Sequence, residues 1–272
     1  LQQIDNAWKD QFQKMGYSTL LIDFMGSGGS DGYQTTVGIK ESLDVKVAFE
    51  YAKDNFHRDE IILFGSSMGA VAIMKAINDY ELKPDKLILE CPFGSMVGTT
   101  RKRFEAMGLP SFPFTEILLF YGGLQNGFNA FQHKPTEYAK SIKTPTLLIH
   151  GAKDKRVTKK ETEEVFKNLI GGIKLLSLEN SGHENYLINS KEKWKEEVYK
   201  FLFPFEKQNQ TKRIVSLNEI SQSFLLKTMP IQDSTNFDNF KPSKYFTKNE
   251  IQLLELDKIY SEAISKNYGY QF

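Results

Sequence analysis

Cysteine is nearly absent from this 272-residue chain, which contains Cys91 alone. A single cysteine excludes an internal disulfide and any metal site built from several thiolates. An excess of charge of one sign is also lacking, because 35 lysines and arginines face 34 aspartates and glutamates. Without a basic footprint the chain is not expected to bind nucleic acid. No apolar run approaches the ~20 residues that a transmembrane helix needs.

The beginning of the chain gives little information on location. The chain starts at Leu1 rather than at methionine, within a helix-like segment, and carries no recognisable signal peptide. A reducing compartment is compatible with the lone cysteine, so a cytoplasmic location is favoured. A targeting signal upstream of Leu1 stays an open alternative.

Short apolar runs alternate with helical patterns along the first three quarters of the chain. Runs rich in Leu and Ile, bounded by polar or glycine residues, predict buried strands at residues 18–24, 60–65, 86–90, 145–150 and 173–178. Helical patterns lie at roughly residues 36–55, 68–79, 158–170 and 188–203. This alternation predicts an α/β fold with a doubly wound, mostly parallel sheet.

Two segments depart from the alternation. Residues 94–140 contain aromatic residues, prolines and glycines but no clear strand, and predict a cap inserted in a core domain of residues 1–206. An ordinary irregular excursion packed on the sheet is the alternative. Residues 207–272 predict a helical C-terminal extension, because two capping-box spacings precede helical patterns there. Packing of the extension on the core, a roof over a pocket and an oligomer formed through the extension all stay open.

A glycine-flanked serine pair follows the strand predicted at 60–65. In the Gly-x-Ser-x-Gly pattern of residues 65–69, the central Ser67 occupies a strained turn between strand and helix. We expect glycine to be required at both ends of the pattern, Gly65 and Gly69, to avoid clashes. Ser66, off the apex of the turn, is the weaker candidate nucleophile, and a helix that merely uses it as an N-cap is the alternative.

A serine hydroxyl becomes a good nucleophile when a base accepts its proton and a carboxylate orients that base. Asp154 lies in the loop after the strand at 145–150, and His183 lies in the loop after the strand at 173–178. Loops at the carboxyl ends of parallel strands share one rim of a sheet. The sequence therefore predicts that Asp154 and His183 converge on Ser67.

Other residues compete for these two roles. Glu90 ends the preceding strand and can point to the same rim, and Asp154 has a turn-forming or helix-capping alternative. Of the remaining histidines, His57 lies toward the opposite rim, His133 lies in the cap and His150 is expected to be buried at a strand end.

These residues together resemble the α/β-hydrolase superfamily, over residues 1 to about 205. The serine turn is similar to the family's nucleophile elbow, His150–Asp154 to its acid-bearing loop and Ser181–His183 to its histidine loop. Within the superfamily the resemblance is to bacterial serine esterases and lysophospholipase-like hydrolases, with serine aminopeptidases of similar shape.

The resemblance implies a nucleophile at Ser67, a base at His183, an orienting acid at Asp154 and an oxyanion donor at the Met68 backbone N–H. It implies no organic cofactor, and no cluster of residues with metal-ligand spacing is present in the sequence. A dinucleotide fingerprint in the glycine-rich stretch is disfavoured, because its third glycine falls at Asp31.

Two features depart from the superfamily pattern. Residues 23–32 resemble the segment Asp-x-Arg-Gly-x-Gly-x-Ser-x-Gly, but Met25 replaces the arginine, so the local hydrogen bonding must differ. The His-Gly loop that supplies half of the oxyanion hole, and the early strands of the sheet, are expected upstream of Leu1.

The expected activity is hydrolysis of a small-molecule carboxylic ester through an acyl-enzyme. Apolar cap residues are the candidate lining of an acyl pocket, although they could instead pack the cap onto the body: Phe112, Phe114, Ile117, Leu118, Phe120 and Tyr121. The alternatives are a serine peptidase or thioesterase of the same fold, and a non-catalytic binding or scaffold protein.

Overall fold

Four parallel strands form a single sheet in the computed structural model, which describes residues 2–56 and 60–204 and the side chains from residue 7 onward. The strands are β1 (Ile62–Ser66), β2 (Lys86–Glu90), β3 (Thr146–Gly151) and β4 (Gly172–Leu178), and they lie side by side in chain order. All three pairings are parallel. The predicted α/β fold is confirmed, together with four of its five predicted strands.

Helices connect and flank these strands. The long ones are α1 (Gln2–Lys14), α2 (Glu41–Phe56), α3 (Met68–Tyr80), α4 (Met96–Ala106), α5 (Phe114–Asn126), α7 (Lys159–Asn168) and α9 (Lys191–Leu202). Two single-turn helices are α6 (Pro135–Tyr138) and α8 (Tyr186–Asn189). Helix α7 begins with a capping box in which the Thr158 hydroxyl and the Glu161 carboxylate exchange bonds with each other's backbone N–H.

Alternate residues of each strand pack against different helices, because successive side chains of a strand point to opposite faces of the sheet. On β2, Leu87 and Leu89 pack in a cluster with residues of α2, α3 and α7. The intervening Ile88 packs in a second cluster with residues of α1, α8 and α9, which includes Trp194. The sheet is therefore covered on both faces, as the apolar strands predict.

The strand predicted at residues 18–24 is wrong. These residues form no strand, and among the described residues no backbone hydrogen bond pairs them with the edge strand β1. Leu20 and Leu21 are about half exposed. An apolar run favours an extended backbone, but a strand also needs a partner with a free row of N–H and C=O groups, and the run itself carries no information on that partner.

The stretch between β2 and β3 contains no strand, as expected, and is mostly helical, which the sequence did not indicate. It consists of α4, α5 and α6 with short 3₁₀ turns at Ala130–Gln132 and Ala139–Ser141. Its function as a cap stays a prediction. The C-terminal extension and His57 lie outside the described residues. Within the described part of the chain, none of the helices combines the length and the apolar character needed to cross a bilayer.

The two-faced core makes a simple prediction for stability. Leu148 on β3 is fully buried, whereas Leu43 on α2 is half exposed. We expect Leu148→Ala to lower the free energy of unfolding by about 2–5 kcal/mol, because it leaves a cavity under the helices. The matched Leu43→Ala should change it by less than about 0.5 kcal/mol. Urea unfolding followed by circular dichroism measures both, and equal losses would contradict this packing.

Candidate active site

Ser67 lies at the junction of β1 and α3 with backbone angles of φ 50° and ψ −110°. Its amide donates a hydrogen bond to the carbonyl of Glu90 (2.8 Å), and its carbonyl accepts one from the amide of Val71 (3.1 Å). Ser67 is the residue that precedes the first turn of α3, but its side chain makes no capping bond. The hydroxyl is thus left available, and the alternative of Ser66 as an N-cap is not supported.

Only one of the two flanking glycines is sterically required. A Cβ atom on Gly65 would lie 2.7 Å from the backbone of Gly69 and Ala70, a distance that no side chain tolerates. A Cβ atom on Gly69 would meet nothing closer than the Phe24 ring at 3.9 Å, an ordinary contact. The expectation that both glycines are required is therefore wrong for Gly69, where a methyl group would make only an ordinary contact.

The three side chains predicted to converge are joined by hydrogen bonds. Ser67 Oγ lies 3.0 Å from His183 Nε2, and His183 Nδ1 lies 2.7 Å from Asp154 Oδ2. The Asp154 side chain has no exposed surface, and the His183 side chain is 16% exposed. Asp154, and not the competing Glu90, is thus the carboxylate that contacts the imidazole.

Several donors stabilise the charged form of Asp154. Its other oxygen, Oδ1, accepts hydrogen bonds from the amides of Arg156 (2.7 Å) and Val157 (2.9 Å). Burial raises the pKa of Asp154, but the hydrogen bonds from His183 and the two amides outweigh burial, and the net pKa is lowered. Asp154 is therefore ionised at neutral pH and holds the proton of His183 on Nδ1, which leaves the Nε2 lone pair facing Ser67.

The loop that carries Asp154 and the loop that carries His183 are bonded to each other. The amide of Lys153 donates to the carbonyl of Ser181 (2.9 Å), and a Cβ atom on Gly151 would lie 2.4 Å from the carbonyl oxygen of Gly182. The Gly151 amide donates to the buried Tyr186 hydroxyl (2.9 Å). Gly151 therefore permits the close approach of the two loops. The one sequence signal for this role is the position of Gly151 at the end of a predicted strand.

The other two histidines in the described part of the chain, His133 and His150, have structural partners. His133 is buried, and its ring nitrogens contact the Tyr138 hydroxyl and the Val37 carbonyl, each at 3.0 Å. Burial is the main reason why the pKa of His133 is lowered to about 4. His150 is buried at the end of β3, as expected, and Nδ1 lies 3.3 Å from the Thr162 hydroxyl. Neither ring takes part in the Ser67 site.

Cys91 adds a thiol to this cluster, since its sulfur, a His183 nitrogen and an Asp154 oxygen lie within 4.8 Å of one another. These are donor types that bind zinc. Burial, however, raises the pKa of Cys91 to about 12, so the thiol keeps its proton. Because Asp154 and His183 are also bonded to each other, the arrangement suits proton transfer better than metal binding.

Carboxylates hold the glycine-rich loop in which Met25 replaces the arginine of the superfamily pattern. The Met25 amide donates to Asp44 Oδ2 (2.9 Å), and the Gly29 amide donates to Asp23 Oδ2 (2.9 Å). The Ser30 hydroxyl donates to the Asp23 carbonyl (2.7 Å). The hydrogen bonding of this loop thus differs from the superfamily pattern, as expected, because carboxylates accept bonds from its backbone amides. The sequence pattern did not indicate that one of these carboxylates is Asp44 of α2.

The candidate pocket residues lie on and just before α5, and their side chains are 48–72% exposed: Phe112, Phe114, Leu118, Phe120 and Tyr121. Ile117 is about half exposed as well. The buried positions of α5 are Thr115, Leu119 and Gly123. The aromatic side chains therefore do not pack α5 onto the body, and their role as an acyl-binding surface stays a proposal.

The sequence profile of the prolyl oligopeptidase family matches residues 5–208, three quarters of the chain. The chain belongs to that family. Together with the parallel sheet and the serine turn, this membership shows that the chain has the α/β-hydrolase fold.

Two relatives of this chain match it over part of their own length. Protein YqkD of Bacillus subtilis, which is of uncharacterised function, is 29% identical over 70% of this chain and 64% of its own length. The acylamino-acid-releasing enzyme of Rattus norvegicus is 29% identical over 57% of this chain and 22% of its own length. The chain thus spans less than two thirds of either relative.

A solved structure gives the same fold. The esterase Pf2001 of Pyrococcus furiosus superposes with a TM-score of 0.57 and 26% identity, over 72% of this chain and 74% of the esterase. The comparisons agree on a hydrolase and differ on the bond that is cleaved.

The contact at Gly65 predicts an asymmetry between the two glycines of the serine turn. We expect Gly65→Ala to lower the melting temperature and to reduce reaction of Ser67 with a fluorophosphonate at least tenfold, because the elbow must open to admit a methyl group. Gly69→Ala, the matched control, should leave both quantities nearly unchanged. Equal effects of the two substitutions would contradict the close approach seen only at Gly65.

Proposed function

We propose that this protein hydrolyses carboxylic esters through an acyl-enzyme formed on Ser67. The single observation that carries the proposal is the continuous line of hydrogen bonds from Ser67 Oγ through His183 to Asp154. A hydroxyl at a strained turn, with an imidazole base and an ionised carboxylate behind it, is the arrangement that activates a serine nucleophile.

Acylation begins when Ser67 Oγ attacks the carbonyl carbon of the ester and His183 Nε2 accepts the hydroxyl proton. Asp154 stabilises the imidazolium that forms, because its charge is held against Nδ1 by geometry and by the two amides on its other oxygen. The oxyanion meets the backbone N–H of Met68, the first residue of α3, where helix amides have no intrahelical acceptor.

Collapse of the tetrahedral intermediate breaks the bond to the leaving alcohol, which takes its proton from His183 Nε2. Water then enters, His183 removes its proton, and the resulting hydroxide attacks the acyl carbonyl. The acid product leaves and the proton returns to Ser67 Oγ. His183 Nε2 therefore transfers every proton, and the contact of Asp154 with Nδ1 keeps the ring in the tautomer that this transfer requires.

Two observations favour esters over amides. The Pyrococcus furiosus esterase is similar in fold and in sequence, and the exposed aromatic side chains of α5 offer an apolar surface for an acyl chain. A peptidase is the second candidate, because the family includes peptidases and a relative is an acylamino-acid-releasing enzyme. Ser67, His183 and Asp154 could cleave either an ester or an amide, so a comparison of substrates is needed to distinguish the two activities.

Labelling by a fluorophosphonate probe tests the nucleophile. We expect the wild-type protein to be labelled and Ser67→Ala to lose labelling completely, since the probe phosphonylates an activated serine hydroxyl. Ser66→Ala is the matched control and should keep labelling within about threefold, because its hydroxyl is not bonded to His183. Labelling that survives in Ser67→Ala and disappears in Ser66→Ala would show that Ser66 is the nucleophile and would contradict the proposal.

A folded wild-type protein that neither reacts with the probe nor hydrolyses any ester would support the binding or scaffold alternative instead. Circular dichroism of the same sample establishes that it is folded. The test is made on the 272-residue chain.

A substrate panel separates esters from amides. Unactivated methyl and glyceryl esters of rising chain length are compared with N-acetyl-alanyl peptides, because activated esters are cleaved by peptidases too. We expect ester hydrolysis to exceed amide hydrolysis by at least about 100-fold in kcat/KM. If α5 holds the acyl chain, Leu118→Ala should raise KM for octanoate esters more than for acetate esters. Preferential release of N-acetyl-alanine would replace the esterase proposal with the peptidase.

A further inference from the structure

Glu90 ends β2 directly behind the nucleophile and has no exposed surface. Its Oε1 accepts a hydrogen bond from the indole Nε1 of Trp194 (2.6 Å), a fully buried side chain of α9. Its Oε2 is also buried and makes no well-formed hydrogen bond with any described side chain. A carboxyl group in such a place is expensive to keep charged, so its position calls for an explanation.

The charge state of Glu90 follows from its surroundings. Burial raises the pKa of Glu90 from 4.5 to about 8, and the hydrogen bonds with Trp194 and the neighbouring Ser66 offset burial only in part. The other titratable groups that interact with it among the described residues are the thiol of Cys91 and the phenol of Tyr186. Burial raises the pKa of Cys91 and of Tyr186, and both are uncharged at neutral pH.

Glu90 connects the two halves of the site. Its backbone carbonyl accepts a hydrogen bond from the amide of Ser67, and its side chain accepts one from the indole of Trp194 on α9. The residue before α9 is Ser190, whose hydroxyl lies 2.8 Å from that of Ser181, two residues before His183. A single residue therefore links the strand behind the nucleophile to the helix that anchors the histidine loop.

We propose that Glu90 is a positioning residue for Ser67 and His183, and that it performs this role as an uncharged carboxylic acid. The inference rests on the proposed function, because it concerns the same nucleophile. It adds a second carboxyl group to the site, one that never touches the substrate. Deprotonation of Glu90 would put beside the elbow a buried negative charge that the single indole donor of Trp194 offsets only in part.

The sign of the pH dependence follows from the direction of the shift. An acid whose pKa is raised on folding stabilises the native state fully below its ordinary pKa, and this contribution is lost as the pH rises through the folded value. The acylation rate should therefore decline above a pH of about 8 in the wild-type protein. Cys91, with a pKa of about 12, does not titrate in that range.

Three variants at this contact test the proposal through the rate of fluorophosphonate labelling and kcat for an ester, measured from about pH 6 to pH 10. We expect Glu90→Gln, which keeps the shape and the acceptor for Trp194, to stay within about threefold of wild type at pH 7. It should also lose the alkaline decline. Glu90→Ala should lower kcat at least tenfold with little change in KM, because the reacting groups are misplaced.

Trp194→Phe supplies a signature that a merely structural role would not produce. Loss of the indole donor removes a bond that lowers the pKa of Glu90, so the alkaline decline should move to higher pH. The matched control is Glu197→Gln on the same helix, a buried glutamate that pairs with Lys174, Lys193 and Lys200. It should leave the pH profile unchanged.

The outcomes separate this inference from the proposed function. An alkaline decline that persists in Glu90→Gln, or a loss beyond about 100-fold in that variant at pH 7, overturns the neutral-acid role. A folded Glu90→Ala with wild-type kcat overturns positioning, and if that variant does not fold, the profiles of Glu90→Gln and Trp194→Phe decide. Wild-type protein that is not labelled at all is a failure of the proposed function, and is seen before any variant is made.

Discussion

The left-handed backbone of Ser67 is the constraint on which the site depends. Residues held in sparsely populated backbone regions cost of order 1–3 kcal/mol each and persist only where the surrounding structure fixes them. Here Gly65 leaves room for the α3 backbone. The Ser67 amide donates a hydrogen bond to the Glu90 carbonyl, and the Ser67 carbonyl accepts one from the Val71 amide in the first turn of α3. The strain is useful because it keeps the side chain out of the capping position and points it toward His183.

Sheet topology brings the remaining groups to that hydroxyl. Ser67 and His183 are 116 residues apart in sequence and 3.0 Å apart in space, because both follow the carboxyl ends of parallel strands. The acid and histidine loops come from neighbouring strands, β3 and β4, and are bonded to each other through Lys153 and Ser181. The imidazole is therefore positioned by backbone contacts on one side and by Asp154 on the other.

The sequence allowed the parallel sheet and the meeting of Ser67, Asp154 and His183 to be predicted, because each depends on a local pattern followed by a topological rule. Features that depend on tertiary contacts could not be predicted. Residues 18–24 have the composition of a strand but pair with no strand among the described residues, and Gly69 matches the motif although a Cβ atom there would make only an ordinary contact. The link from Glu90 to Trp194 joins residues 104 positions apart and leaves no local trace.

Two carboxyl groups at one rim of the sheet illustrate how hydrogen-bond donors, rather than residue type, set the charge. Asp154 is bonded by the imidazole of His183 and two backbone amides, and these bonds outweigh burial and lower its pKa. Glu90 has one well-formed donor, the indole of Trp194, so burial dominates and its pKa rises. Residue type alone therefore does not fix the charge of a buried carboxyl group, because the number of donors that face it decides whether burial is offset. The ionised Asp154 contacts His183 Nδ1 and fixes the tautomer of the ring, whereas Glu90 accepts a hydrogen bond from Trp194 and serves to hold α9.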